Sequence, residues 1–189
     1  SSGTLASRLT EAFLAVRGET ERRAAPLSPE DQTVQSMSDA SPAKWHRAHT
    51  TWFWEQFLLG QHSPGYVPFH PDYAFLFNSY YVSAGPRYAR AQRGHITRPG
   101  AEEITAYRRH VDAAVVKFFH DANDKMLTQL VPLVEAGLNH EQQHQELMLT
   151  DILHAFAQNP ASPAYNASWR FPAPVADAAG WITLNEGIH

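Results

Sequence analysis

The chain contains no cysteine. That excludes disulfides, thiolate metal ligands and a cysteine nucleophile, and leaves histidine, carboxylate and solvent as the ligands open to a bound metal. Positive charge is not in excess either: 15 Lys and Arg stand against 19 Asp and Glu, a formal net charge of −4. A chain without a basic field lacks the footprint of a protein that grips a phosphate backbone, so nucleic acid is excluded as a partner. Long hydrophobic runs are missing too. No apolar stretch approaches the roughly 20 residues of a membrane span and no signal-peptide core opens the sequence, which predicts a soluble, cytoplasmic protein without a membrane partner.

What is present is histidine and aromatic surface. There are 11 histidines and five tryptophans in 189 residues, 12% of the chain is aromatic, and 43% is hydrophobic. A chain of this length buries one main core. Ser1-Ser2-Gly3 reads as a tag remnant.

Leu5, Leu9, Phe13 and Val16 repeat at helical spacing and predict a first amphipathic helix. Ser28-Pro29-Glu30-Asp31 carries a helix-start signal for a short second piece, and Ser41-Pro42 repeats it for a helix that Gly60 should stop. From Gly60 to Gly100, prolines and glycines punctuate aromatic pieces such as DYAFLFNSYY, as expected of a long structured loop with a function. Ile104, Tyr107, Val111, Val115 and Phe118 form one stripe of a helix over 101–121. Pro132 suits the first turn of a last long helix that ends near Phe156, before Asn159-Pro160. ASPAYNASWRFPAPVADAAG then reads as a linker and GWITLNEGIH as a first strand, so the chain is expected to be a fragment. Long helices joined by loops predict an all-α bundle.

The densest chemistry lies in NHEQQHQELMLTDILHAF, Asn139 to Phe156. At about 100° per residue from His140, His144 falls at about 40°, Leu147 at about 340°, Asp151 at about 20° and His154 at about 320°. His140, His144 and Asp151 therefore share a face, and an i, i+4 histidine pair offers two imidazoles to one metal. A third ligand is available from WHRAHTTWFWE, where His46 and His49 are three apart, because facing helices of a bundle can aim ligands at one interior point. Either of these two also suits a core histidine bonded to a carbonyl. Trp45, Trp52, Phe53 and Phe57 read as bundle core. Asp151 could orient a ligand histidine. Glu141 and Gln145 point away from the stripe and are expected on solvated surface, whereas Gln143, at about 300°, sits at its edge.

In GPRYARAQRGHITRP, Arg87, Arg90 and Arg93 are three apart and Arg98 follows. Guanidinium forks bind carboxylates bidentately, so arginines near an open metal suit a small anionic substrate; a solvated basic loop is the plain alternative.

Taken together, SPAKWHRAHTTWFWE, FNSYY, GPRYARAQRG and NHEQQHQELMLTDILHAFAQNP resemble the N-terminal domain of the ergothioneine-biosynthesis sulfoxide synthases, the EgtB family, over roughly Ser41 to Tyr165. The resemblance implies a DinB-like four-helix bundle over residues 1–160 and, over 161–189, a linker and the start of a truncated domain like the formylglycine-generating enzymes. It implies a mononuclear non-haem iron(II) centre held by His49, His140 and His144, with His46 a neighbour. It further implies an oxidoreductase that uses O₂ to join a thiol, commonly γ-glutamylcysteine, to the imidazole carbon of hercynine as a sulfoxide. By position, Arg87 and Arg90 would hold the thiol's carboxylates and Gln143 would face hercynine, while the family's catalytic tyrosine belongs to the C-terminal domain, here to be supplied by that domain or a partner chain. Three other readings stand beside this one: a paralogous synthase using cysteine or a selenium donor, a non-catalytic DinB-type metal-binding module, and a hydrolytic zinc site with Asp151 as base. Imidazole ligands alone do not name the metal.

Overall fold

The computed structural model describes residues 4–79, 85–170, 172 and 180. The strand-like segment expected after Gly180 lies outside the described residues, as do Ser1 to Gly3 and Tyr80 and Tyr81 of FNSYY.

Helix α1, Leu5–Ala24, starts at Thr4, whose side chain accepts from Ser7 N–H at 3.2 Å. Its buried stripe is Leu9, Phe13, Arg17, Thr20 and Ala24. Arg17, rather than the half-buried Val16, thus continues the stripe inward. Ser28 and Asp31 cap each other reciprocally, but the segment they open makes only turns, not a helix.

Helix α2, Ala43–Phe53, continues through a π-helical stretch, Trp54–Leu59, into α3, Gly60–His62. Gly60 does not stop the helix; the wider π-turn carries the chain past it, and Leu58 and Leu59 stay buried. Every residue of α2 is buried, including Lys44 and Arg47, so its polar groups need internal partners. Lys44 Nζ donates to Thr97 O at 3.1 Å, and Arg47 reaches Glu21, Gln32 and Thr105.

The 60–100 excursion holds a short α4, Tyr73–Leu76, and a 3-10 helix, Arg90–His95. Helix α5, Ala101–Asp121, buries the predicted stripe of Ile104, Tyr107, Val111, Val115 and Phe118. Helix α6, Asp124–Gln158, begins eight residues before Pro132, which lies inside it. Asn123 caps it by accepting from Met126 N–H at 2.9 Å, and burial of Leu127, Leu130 and Val134 holds the helix through the proline.

Side-chain pairs fix the helix directions. Arg17 meets Glu141 while Ala24 packs with Met148 and Ile152, so α1 and α6 are parallel. His49 faces His140 and His46 faces His144, so α2 opposes α6; Arg17 with Asp112 and Glu21 with Arg108 set α5 against α1. Since α2 and α5 therefore run the same way, the chain must travel back along the bundle between them. The excursion does this, and in doing so crosses the face that carries the histidines. No helix among the described residues is long and apolar enough to cross a membrane, and none of those residues forms a strand.

Candidate metal centre

His49, His140 and His144 each offer a ring nitrogen, and the three ligand atoms lie within 4.8 Å of one another. His49 Nε2 and His140 Nε2 are 3.1 Å apart. Two nitrogens held at about 2.1 Å from one metal and about 90° apart would be separated by about 3 Å, so the pair already has the spacing of adjacent ligands. Three imidazoles without a carboxylate or thiolate fit a borderline divalent transition metal and leave positions open for further ligands.

Each histidine is held in place from outside the cluster. His49 Nδ1 donates to Phe77 O at 2.5 Å. Its ring is sandwiched between Trp45 and Trp52, at centroid distances of 4.6 and 5.3 Å with interplanar angles of 12° and 16°. Both indoles also fasten the excursion, because Trp45 Nε1 donates to Leu76 O and Trp52 Nε1 to Ala74 O, each at 3.2 Å. His140 packs against Phe53, 4.9 Å between centroids. His144 meets His46, with the two Nδ1 atoms 2.9 Å apart, and His46 Nε2 lies 2.8 Å from Asp151 Oδ2. That oxygen also accepts from Ser41 N–H at 2.9 Å.

Burial keeps the four imidazoles neutral near pH 7, which is the form that binds a metal. It pushes His140 down to about 4 against the opposing pull of Glu141, and drives His144 well below the usual range, helped by the neighbouring His49, His46 and His140. His49 is lowered by burial and then by His140, and His46 by burial despite its bond to Asp151.

A cavity of about 390 Å³ opens over the cluster, walled by Ser41, Trp45, Ser79, Arg90, Arg93, Gln143 and Leu147. Arg90 and Gln143 are exposed residues at its mouth. Arg93 is buried, its guanidinium 3.4 Å from the Trp45 ring centroid, and it donates to Ser41 Oγ and Ser79 Oγ at 2.9 and 3.2 Å. Arg87 is exposed, and the described residues that line the cavity do not include it. The structure thus brings Arg90, Gln143 and the three histidines together, and adds Arg93. Only its place in the arginine series marked Arg93 in the sequence.

Glu141 and Gln145 are not on solvated surface. Glu141 is fully buried and accepts from Arg17 at 3.1 Å, Arg108 at 3.0 Å, Thr20 Oγ1 at 2.7 Å and Trp54 Nε1 at 3.3 Å. Gln145 donates to Val16 O at 2.9 Å and Thr20 Oγ1 at 3.0 Å. Both belong to the buried stripe Leu130, Val134, Gly137, Glu141, Gln145, Met148 and Ile152, whose part from Glu141 onward packs against α1. The signal for this was in the sequence: apolar residues before and after occupy the register of Glu141 and Gln145, and two polar residues in the middle hide it.

A larger groove of about 890 Å³ runs between residues 29–38 and 91–101, but among the described residues only His49, His140 and His144 group as metal ligands. The sequence profile of the DinB superfamily matches residues 12–148, a span that contains all three histidines and the helices that carry them. No curated protein matches the chain.

Proposed function

The chain belongs to the DinB superfamily, and we propose that within it this protein is a non-haem iron(II) protein that unites a thiol with hercynine in the manner of the ergothioneine-biosynthesis sulfoxide synthases. The observation that carries the reading is the set of three neutral imidazoles, His49, His140 and His144, at the floor of a cavity whose mouth carries Arg90. Iron(II) held there would supply the redox chemistry by which O₂ drives carbon–sulfur bond formation and sulfur oxidation.

The chain's own groups supply placement. Arg90, whose Nη2 also donates to Asp39 O, presents its guanidinium to a carboxylate of the thiol substrate, and Arg87, three residues before it, serves a second carboxylate of an acidic donor. Gln143 faces the side where hercynine's imidazole would lie. Trp45 and Trp52 keep water from the flanks of His49, so a metal held by it would be reached from the cavity side. A hydrolytic zinc site is disfavoured, because Asp151, its one candidate base, is engaged by His46 and Ser41 N–H.

The test is to load the chain anaerobically with cobalt(II) as a spectroscopic substitute for iron and add γ-glutamylcysteine, cysteine or a selenol donor, each with and without hercynine. A thiolate-to-metal absorption band that appears with the acidic thiol and weakens in Arg90→Ala supports the reading. With iron(II) and O₂, the coupled sulfoxide is sought by mass spectrometry. A loaded chain that takes up neither the donors nor hercynine would contradict the proposal and favour a non-catalytic metal-binding module.

A further inference from the structure

Neutral imidazole carries one N–H, and which nitrogen holds it decides which nitrogen can bind a metal. For His144 and His49 the bonds around the cluster fix that choice from outside. Asp151 Oδ2 already accepts from Ser41 N–H at 2.9 Å, and the same oxygen faces His46 Nε2 at 2.8 Å. A carboxylate oxygen accepts, so His46 must carry its proton on Nε2 and present a bare Nδ1. That bare nitrogen lies 2.9 Å from His144 Nδ1. Two bare nitrogens do not attract at that distance, so His144 must donate from Nδ1, which leaves its Nε2 with the lone pair. On the other side, Phe77 O takes the Nδ1 proton of His49 and leaves its Nε2 bare; by the same rule His140, whose Nε2 lies 3.1 Å away, donates from Nε2 in the metal-free protein and must move that proton to Nδ1 before Nε2 can bind a metal.

We propose that Asp151 and His46 are positioning residues: they form a relay, Asp151 to His46 to His144, that locks His144 in the tautomer whose Nε2 offers a lone pair to the metal. The inference rests on the metal reading of the three histidines and deepens it. It gives His46 a role other than ligand: the residue is buried and its ring lies 5.2 Å from that of His144, but both its nitrogens are occupied within the relay. It also explains why the relay ends on Ser41 at the start of α2. Asp151 on α6 thereby ties the helix that carries His144 to the one that carries His49, so tautomer and helix spacing are set by the same carboxylate.

Long-range ¹H–¹⁵N correlation spectra of the metal-free protein read tautomers directly. In the wild type, His144 is expected to show a protonated Nδ1 and a bare Nε2, and His46 the reverse. Asp151→Leu should leave His144 a mixture of tautomers, whereas Asp151→Asn, whose amide oxygen can still accept from both donors, should restore the wild-type pattern. Cobalt(II) affinity should fall about 10- to 100-fold in Asp151→Leu and recover in Asp151→Asn. A merely structural role would lower thermal stability without moving the tautomer. His144 with its proton on Nε2 in the wild type would overturn the inference without any variant, and so would an unchanged His144 tautomer in folded Asp151→Leu. The expected tautomers in a protein that takes up no metal would instead overturn the metal reading beneath it.

Discussion

Glu141 of α6 and Arg17 of α1 form an ion pair of 3.1 Å in which the carboxylate has no exposed surface and the guanidinium almost none. Arg17 also pairs with Asp112 at 2.6 Å, and Arg108 bridges Glu141 and Glu21. Arg47 of α2 also holds Glu21, so four helices meet on one network of three guanidiniums and three carboxylates directly beside His140. Removing one member of such a network strands its partners in the core. Glu141→Ala should therefore cost about 3–5 kcal/mol, read as a lowered midpoint in urea at an unchanged slope.

Acid should destabilise the metal-free protein over two pH windows. The four cluster histidines are held below their ordinary value of about 6.5, His140 at about 4, so the folded state takes up protons later than the unfolded chain does. Their neutral forms are accommodated at high pH, and stability falls as pH drops from about 6.5 toward 4. Burial alone would raise Glu141, yet Arg17 and Arg108 outweigh it and hold it at about 2. Its contribution is present above about 4.5 and is lost as pH falls toward 2. Urea midpoints measured from pH 8 to pH 3 check both windows; a flat profile between pH 7 and 5 would contradict the first.

Gly137 sits where α6 crosses the π-turn of α2. A Cβ there would lie 2.6 Å from Trp54 Cη2, 2.7 Å from Cζ2 and 2.9 Å from Phe53 Cε1. These are rigid buried rings, so Gly137→Ala forces the helices apart and should destabilise by about 1–3 kcal/mol despite alanine's better helix propensity. Thermal unfolding checks it. A stabilised variant would mean the helices do not approach this closely.

The three candidate ligand histidines should differ when replaced. His140→Ala and His144→Ala are expected to abolish stoichiometric metal binding with helical circular dichroism largely intact. His49→Ala should do both kinds of damage, because it removes a ligand and also vacates the slot between Trp45 and Trp52 that holds the excursion at Phe77. Metal analysis after dialysis, with melting curves, separates the two effects. Full occupancy in any of the three would remove that residue from the site.

The apolar stripe of α5 and the pairing of His140 with His144 were legible because periodic apolar and ligating residues announce a face. The site's own core was harder to read. Arg17, Thr20, Glu141 and Gln145 occupy core positions of α1 and α6, and each is polar, so a rule that sends charge to solvent misplaces all four; only their mutual pairing across two helices makes them buried. The end of α2 departs from the sequence expectation for a local reason, since glycine usually marks a stop and here a π-turn carries the helix through Gly60. Helix α6 begins before Pro132 because Asn123 caps it and tertiary burial outweighs one lost backbone bond. The relay through His46 could not be found from spacing, as it joins residues 105 positions apart.

Binding of one metal ion by His49, His140 and His144 underlies the site predictions. Anaerobic titration of the chain with iron(II), followed by X-ray absorption of the loaded protein, tests it most directly. Saturation is expected at one iron per chain, with three imidazole nitrogens in its coordination shell. No saturable uptake, or a bound iron with fewer than three imidazoles, would contradict it.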